Sequence, residues 1–128
     1  MWSLSAGVPN SLTAQLLTPD IAATQLQGTP PKIDGALDDL AWEQAAVVSD
    51  FYQREPLEGD PASERTEVRL LFDDRQLYVA FRNFDSAPEK IVANYMRRDA
   101  NLSENDNVVL ILDTYNDRRG GFFFSTNP

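Results

Sequence analysis

The feature that most constrains the fold is a pair of apolar-rich runs joined by a short polar turn, within residues 66–85. Their alternation of apolar and polar residues predicts an antiparallel hairpin closed by the four-residue loop 73–76. In this register one face is entirely apolar, and its cross-strand pairs are Val68–Phe81, Leu70–Val79 and Phe72–Leu77. A slip of one residue would turn that face to water, so the pattern favours a single register. We expect the apolar face to fill the core.

The opposite face of the hairpin is mixed in character. Its cross-strand pairs are Leu71–Tyr78, Arg69–Ala80 and Glu67–Arg82. The last is a pair of opposite charges, which contributes only about 0.2–1 kcal/mol. Both faces therefore agree on one register, which makes the hairpin the best-defined element of the sequence.

Composition and charge exclude several classes of protein. The 128 residues suit one domain and carry eleven basic against twenty acidic side chains, a net charge of −9. A negative field repels phosphate, so nucleic acid is not an expected partner. The chain has no cysteine and no histidine, which excludes disulfides, serine triads, zinc sites and histidine-ligated haem. No apolar run reaches the roughly 18 to 20 residues of a membrane-spanning helix.

Shorter elements are predicted on both sides of the hairpin. Before it, we expect a strand within 21–26, a short helix that begins after Asp38 or Asp39 and carries Leu40, Trp42 and Ala45, and a strand over 47–53. After it, a capping box of Ser86 and Glu89 predicts one helical turn. Strands are then predicted at 92–96, Val108–Leu112 and 121–126. Val108–Leu112 is apolar on both faces, which is typical of a strand covered on both sides.

Frequent short strands with one helical plug indicate an all-β fold, an antiparallel β-sandwich. Residues 1–20 are expected to be a flexible tail or the remnant of a signal peptide, and residues 21–128 the sandwich itself. The strand pattern stops at Asn127 and Pro128. We therefore expect the module to be incomplete at its C-terminus and to be followed by another domain.

Four segments together resemble one known family. They are KIDGALDDLAW at 32–42, the hairpin at 66–86, RRD at 97–99 and LDTYNDRRGGFFFSTNP at 112–128. In this order they resemble family 9 carbohydrate-binding modules, in the variant at the N-terminus of bacterial envelope proteins with a predicted outer-membrane β-barrel. The likeness covers about residues 20–128. It implies a jelly-roll sandwich, sugar binding without catalysis, calcium in some members, and a location in the periplasm, at the outer membrane or outside the cell.

The resemblance also implies a sugar held by aromatic rings and planar polar groups, because ring faces suit the C–H faces of pyranoses. The family clamp uses two tryptophans. Here Trp42 is expected in the core and Trp2 lies in the tail. Tyr95, with Asn94, Arg97 and Arg98, is the best remaining candidate for sugar contact. Tyr115 is the second candidate.

Oxygen-bearing side chains in the loop 99–106 suggest a possible calcium site. Asp99, Asn101 and Asp106 are the candidate ligands, because Ca²⁺ prefers carboxylate and amide oxygens. The spacing does not fit an EF-hand: Glu104 and Leu110 stand where the glycine and the bidentate glutamate would be. A solvated loop is the alternative, and no cofactor is required.

Three alternatives remain for function. The first is a non-catalytic module that binds a glycan or oligosaccharide, with any hydrolase activity on glycans lying in another domain of the full-length protein. The second is a structural, interaction or periplasmic plug domain without sugar binding. The third, a haem-binding relative, would need Met96 or a lysine as axial ligand. Exposure of Tyr95 in a groove with Arg97 and Arg98 would favour the first, and burial of Tyr95 under paired arginines the second. Convergence of Arg97 and Arg98 with Arg118 and Arg119 would instead suggest an acidic ligand or domain contact.

Overall fold

The computed structural model describes residues 21–128. Its strands are β1 (Thr24–Gln25), β2 (Thr66–Phe72), β3 (Leu77–Asn83), β4 (Val108–Leu112) and β5 (Phe122–Thr126), and its two short 3₁₀ helices are Leu40–Gln44 and Pro88–Lys90. The strands form one three-stranded sheet in the order β1-β2-β3 and one two-stranded sheet of β4 and β5. The protein is therefore β-rich with very little helix, as the sequence predicted.

The predicted hairpin forms β2 and β3, and its register is confirmed at every pair. Val68 lies opposite Phe81, Leu71 opposite Tyr78, and Phe72 opposite Leu77. The turn is held by Asp73, whose Oδ1 accepts hydrogen bonds from the amides of Arg75 and Gln76, each 2.8 Å long. A short aspartate side chain that bonds the backbone two residues on is the usual way to close such a turn.

The buried core lies on the other face of this hairpin from the one predicted. Leu71, Tyr78 and Ala80 are buried, whereas Phe72 and Leu77 are exposed and only Val68 of the all-apolar face is buried. The core cluster joins the first three residues to Leu26, Ala41, Trp42 and Ala45. The prediction failed because apolar alternation defines two faces but does not determine which of them the first 3₁₀ helix will cover.

Glu67 lies opposite Arg82 as predicted, but the expected charge contact between their side chains is replaced. Glu67 forms ion pairs with Arg65, the residue before β2, and with Arg69, which lies on the same side of β2 because side chains alternate along a strand. Arg82 instead lies over the ring of Phe84, 5.2 Å from its centroid. The nearly buried Glu67 carboxylate is thus neutralised from its own strand.

The helical plug is confirmed around Trp42, which is 3% exposed, but Leu40 points to solvent at 77% exposure. Asp39 precedes the helix without capping it through its side chain. Its carboxylate accepts the amide of Lys32 at 3.0 Å instead. Gln44 fastens the helix to the end of β1, because its side-chain amide bonds both the N–H and the C=O of Gln27 at 2.9 and 3.0 Å.

Several predicted elements are shorter than expected or differ in kind. The strand within 21–26 is reduced to β1, which runs parallel to β2, so the sheet is not wholly antiparallel. Residues 47–53 form no strand but only isolated bridges, from Val48 to Val68 and from Tyr52 to Pro61. The turn after Ser86 is present, but the predicted capping box is wrong, because the Ser86 hydroxyl bonds Glu64 rather than the helix.

The second sheet stands apart from the core. Among residues 21–128, the core cluster includes no residue of β4 or β5. The prediction that Val108–Leu112 is covered on both faces is wrong for this part of the chain, because β4 pairs only with β5 and Ile111 is 65% exposed. Phe122, Phe123 and Phe124 of β5 are exposed as well. The two-sheet arrangement is established, whereas a shared sandwich core is not seen within 21–128.

Candidate functional site

An open groove of about 750 Å³ lies beside the β4–β5 sheet. Its walls come from the segment 95–103, from Asn107 and from the end of β5 at Phe123, Ser125, Thr126 and Asn127. A smaller depression of about 520 Å³ shares five of its lining residues: Tyr95, Arg97, Ala100, Asn101 and Ser103. Tyr95 and Arg97 therefore belong to both concavities, and they are two of the residues predicted to contact a sugar.

The groove wall is positioned by side chains rather than by a strand. Residues 92–96 were predicted to be a strand, but no β-ladder forms there. The Val92 amide donates to Asp106 Oδ2 and the Asn94 amide to Asn105 Oδ1, each at 2.7 Å. Asn127 Nδ2 donates to the carbonyl of Tyr95 at 2.8 Å. The Asp106 amide also donates to the Val92 carbonyl at 2.9 Å. Apart from this backbone bond, carboxylate and amide side chains take the place of a neighbouring strand and hold Tyr95 in place.

Tyr95 itself is 47% exposed, so about half of its side chain faces the groove and solvent. Arg98 pairs only loosely with the adjacent Asp99, at 3.8 Å, and both side chains are at least 90% exposed. Within residues 21–128, Arg97 has no carboxylate at ion-pair distance. Tyr95 is consequently not buried under paired arginines, and the guanidinium groups remain accessible.

Amide side chains complete the polar wall, and their existing bonds show which atoms are left for a ligand. Asn101 Oδ1 accepts the Ser103 amide at 3.0 Å, which leaves its Nδ2 as a donor. Asn107 Nδ2 donates to the carbonyls of Leu102 and Asn105. Asn127 uses its Nδ2 on Tyr95, which leaves Oδ1 as an acceptor. The groove therefore offers an aromatic face with donors and an acceptor beside it.

The second sugar candidate, Tyr115, lies elsewhere. It is 83% exposed and does not line the groove. It belongs to the loop between β4 and β5, and this loop is organised by Asp113. The Asp113 carboxylate accepts the amide of Arg118 at 2.8 Å and that of Tyr115 at 3.2 Å. These bonds, the Arg118 amide above all, hold the pKa of Asp113 below its usual value.

The two arginine pairs do not converge at one end of the sheet. Arg97 and Arg98 lie before β4, whereas Arg118 and Arg119 lie in the loop after it. A strand of five residues spans about 13 Å between its first and last Cα atoms, so the pairs occupy opposite ends of the β4–β5 hairpin. Only Arg97 and Arg98 belong to the groove.

The three candidate calcium ligands do not share a common bonding arrangement. Asp99 is exposed, Asn101 Oδ1 already accepts the Ser103 amide, and Asp106 Oδ2 accepts the Val92 amide. Within 21–128 no group of three or more acidic, histidine or cysteine side chains is arranged to hold a metal ion. Asp99 and Asn101 instead line the groove. Asn94, predicted to contact a sugar, lines neither concavity, and its backbone amide donates to Asn105 Oδ1.

The remaining comparison with the sequence predictions concerns the two tryptophans and the groove residues that were not predicted. Trp42 is in the core as predicted, and Trp2 lies outside the described residues. Sequence reasoning missed Phe123, Ser103, Asn107 and Asn127 as groove residues. The run of asparagines between 94 and 107 was a usable signal for the loop. For Asn127, 32 residues from Tyr95, the sequence offers no comparable signal.

Comparison of the chain with protein-family models, with curated proteins and with solved structures finds no match. None of the helices within residues 21–128 has the length and apolar character needed to cross a membrane.

Proposed function

We propose that the chain is a non-catalytic carbohydrate-binding-type module of a bacterial cell-envelope or secreted protein. In this proposal the two sheets belong to a β-sandwich of the jelly-roll kind, and another domain follows in the full-length protein. The observation that supports it is the open groove in which Tyr95 is half exposed beside Arg97 and Arg98. No chemical step is assigned to this chain, and calcium is an optional ligand.

The chemistry of the groove fits a sugar. Pyranose rings have apolar C–H faces that stack on aromatic rings, and their hydroxyls bond planar amides and guanidinium groups. Tyr95 and Phe123 supply exposed rings within one concavity, and Asn101 supplies an unused amide donor. A site of this kind gains contact area from the ring and orientation from the polar groups.

A glycan-array screen of the 128-residue chain, followed by calorimetric titration of each ligand found, tests the proposal. Tyr95→Ala removes the aromatic face, so we expect it to reduce affinity about two- to twelvefold, because stacking on an aromatic ring contributes about 0.5–1.5 kcal/mol. The same change should leave the unfolding temperature nearly unchanged, since Tyr95 is outside the buried core.

Tyr115→Ala is the matched control, because it deletes an exposed tyrosine outside the groove. It should leave both affinity and unfolding unchanged. Loss of binding in Tyr115→Ala but not in Tyr95→Ala would move the site to the loop between β4 and β5. Absence of any bound glycan on the array would refute the proposal, and cooperative unfolding lost in Tyr95→Ala would show that Tyr95 supports the fold.

A second candidate function, an interaction or periplasmic plug domain, is favoured by a different observation. Ile111, Phe122 and Phe124 expose large apolar side chains on the β4–β5 sheet. Exposed apolar surface of this kind commonly marks a contact with another protein. The two functions make different demands, because plug contacts would depend on Phe122 and Phe124 and be insensitive to Tyr95→Ala.

A further inference from the structure

The charges within the groove differ in sign from those of the chain as a whole. The protein has a net charge of −9, yet the groove is lined by two guanidinium groups, Arg97 and Arg98, against one carboxylate, Asp99. Glu104 borders only the smaller depression. A local excess of positive charge in an acidic protein selects for an anionic group at that place.

The arginines are not neutralised by their neighbours. The contact of Arg98 with Asp99 is 3.8 Å long and fully in solvent, and ion pairs of that kind contribute very little. Arg97 lies without a carboxylate at ion-pair distance within 21–128, and it lines both concavities together with Tyr95. Its planar guanidinium is therefore free to form two parallel hydrogen bonds to a carboxylate.

We propose that the groove binds acidic saccharides, with a uronate carboxylate on Arg97 and Arg98 and the sugar ring against Tyr95. This inference rests on the proposed function and names its ligand class. A uronic acid carries its carboxylate on the same ring whose C–H face stacks on an aromatic side chain. The juxtaposition of Tyr95 with Arg97 in the lining of both concavities matches these two features of one residue of such a glycan.

The test uses two probes with the same sugar backbone, a galacturonic acid hexamer with charged carboxylates and its fully methyl-esterified, uncharged form, titrated calorimetrically into the 128-residue chain. The acid should bind at least tenfold more tightly than the ester, because hydrogen bonds to a charged group are stronger than those to a neutral one. Its affinity should fall as sodium chloride is raised, and that of the ester should not.

Three variants locate the effect. Arg97→Gln should remove the preference for the acid and leave the affinity for the ester unchanged. Arg118→Gln makes the same change of net charge at the other end of the β4–β5 hairpin and should preserve the preference. Arg97→Lys retains the charge but lacks the planar fork, so it should retain only part of the preference.

The outcomes separate this inference from the proposed function. Equal binding of acid and ester, or equal loss of preference in Arg97→Gln and Arg118→Gln, would overturn the acidic ligand while leaving saccharide binding in place. The acidic ligand would also be overturned, with saccharide binding left in place, if neutral glycans on the array bind and neither hexamer does. Failure of every glycan to bind would overturn both. Because the acid and ester are compared on the unaltered chain, the result does not depend on the folding of any variant.

Discussion

The two sheets of this protein use apolar residues in opposite ways. In the β1-β2-β3 sheet, Leu71 is completely buried and Trp42 closes the core over it. In the β4–β5 sheet, side chains of the same type, such as Ile111 and Phe123, are more than half exposed. The first sheet carries the core, and the second carries the groove. Apolar sequence therefore produces a core only where another element of the chain covers it.

Truncating one apolar side chain in each sheet tests most directly whether the two sheets contribute differently to stability. Leu71→Ala creates a cavity in the core and should reduce the free energy of unfolding by about 2–5 kcal/mol. Ile111→Ala removes an exposed side chain and should cost less than about 1 kcal/mol, the range of strand propensities. Urea unfolding of the two variants measures both values. Equal losses would mean that the β4–β5 sheet is part of the same core.

Two hydrogen bonds to Asp73, in the turn between β2 and β3, predict that the stability of the fold depends on pH. Bonds from the Arg75 amide and then the Tyr78 hydroxyl hold the pKa of Asp73 below its ordinary value of 3.8. The hydrogen bond between the Tyr78 hydroxyl and Asp73 also raises the pKa of Tyr78 above its ordinary value of 10.0. The Asp73 contribution to stability is therefore present above 3.8 and lost as pH falls through the lower folded pKa. The Tyr78 contribution to stability is present below pH 10.0 and is lost as pH rises through the higher pKa that Tyr78 has in the folded protein.

Tyr78→Phe isolates this contribution because it retains the buried ring and removes only the hydroxyl. The variant should unfold at a lower temperature than the natural chain at neutral pH. The difference between the two unfolding temperatures should shrink in acid below about pH 4 and in alkali above about pH 10. Thermal unfolding followed by circular dichroism across this range measures it. A difference that is constant with pH would show that the Tyr78–Asp73 bond is not the cause.

The local sequence pattern was sufficient to predict how β2 and β3 pair but not which face of the hairpin is buried. The alternation predicted six of the seven pairs of β2 and β3, because a one-residue slip would have reversed both faces. The same pattern assigned the core to the wrong face. Coverage of Leu71, Tyr78 and Ala80 by Trp42 and Ala45 is a long-range contact that alternation cannot specify.

The candidate site could be predicted in part for a similar reason. Tyr95, Arg97 and Arg98 were found because an aromatic residue and planar cations stand together in sequence. Phe123 and Asn127 were missed because they reach the groove from β5, more than twenty residues away. The strand expected at 92–96 failed because asparagine and aspartate side chains took the place of backbone partners.

Amide chemical shifts of the isotope-labelled chain, recorded while the galacturonic acid hexamer is added, test the central claim most directly. The claim is that the second sheet and its loops bind the ligand while the first sheet only supports the fold. We predict that the shifts that move lie in 95–103 and 123–127, with those of β2 and β3 unchanged. Shifts confined to the β2–β3 hairpin or to the loop around Tyr115 would contradict the claim, as would a spectrum that does not change.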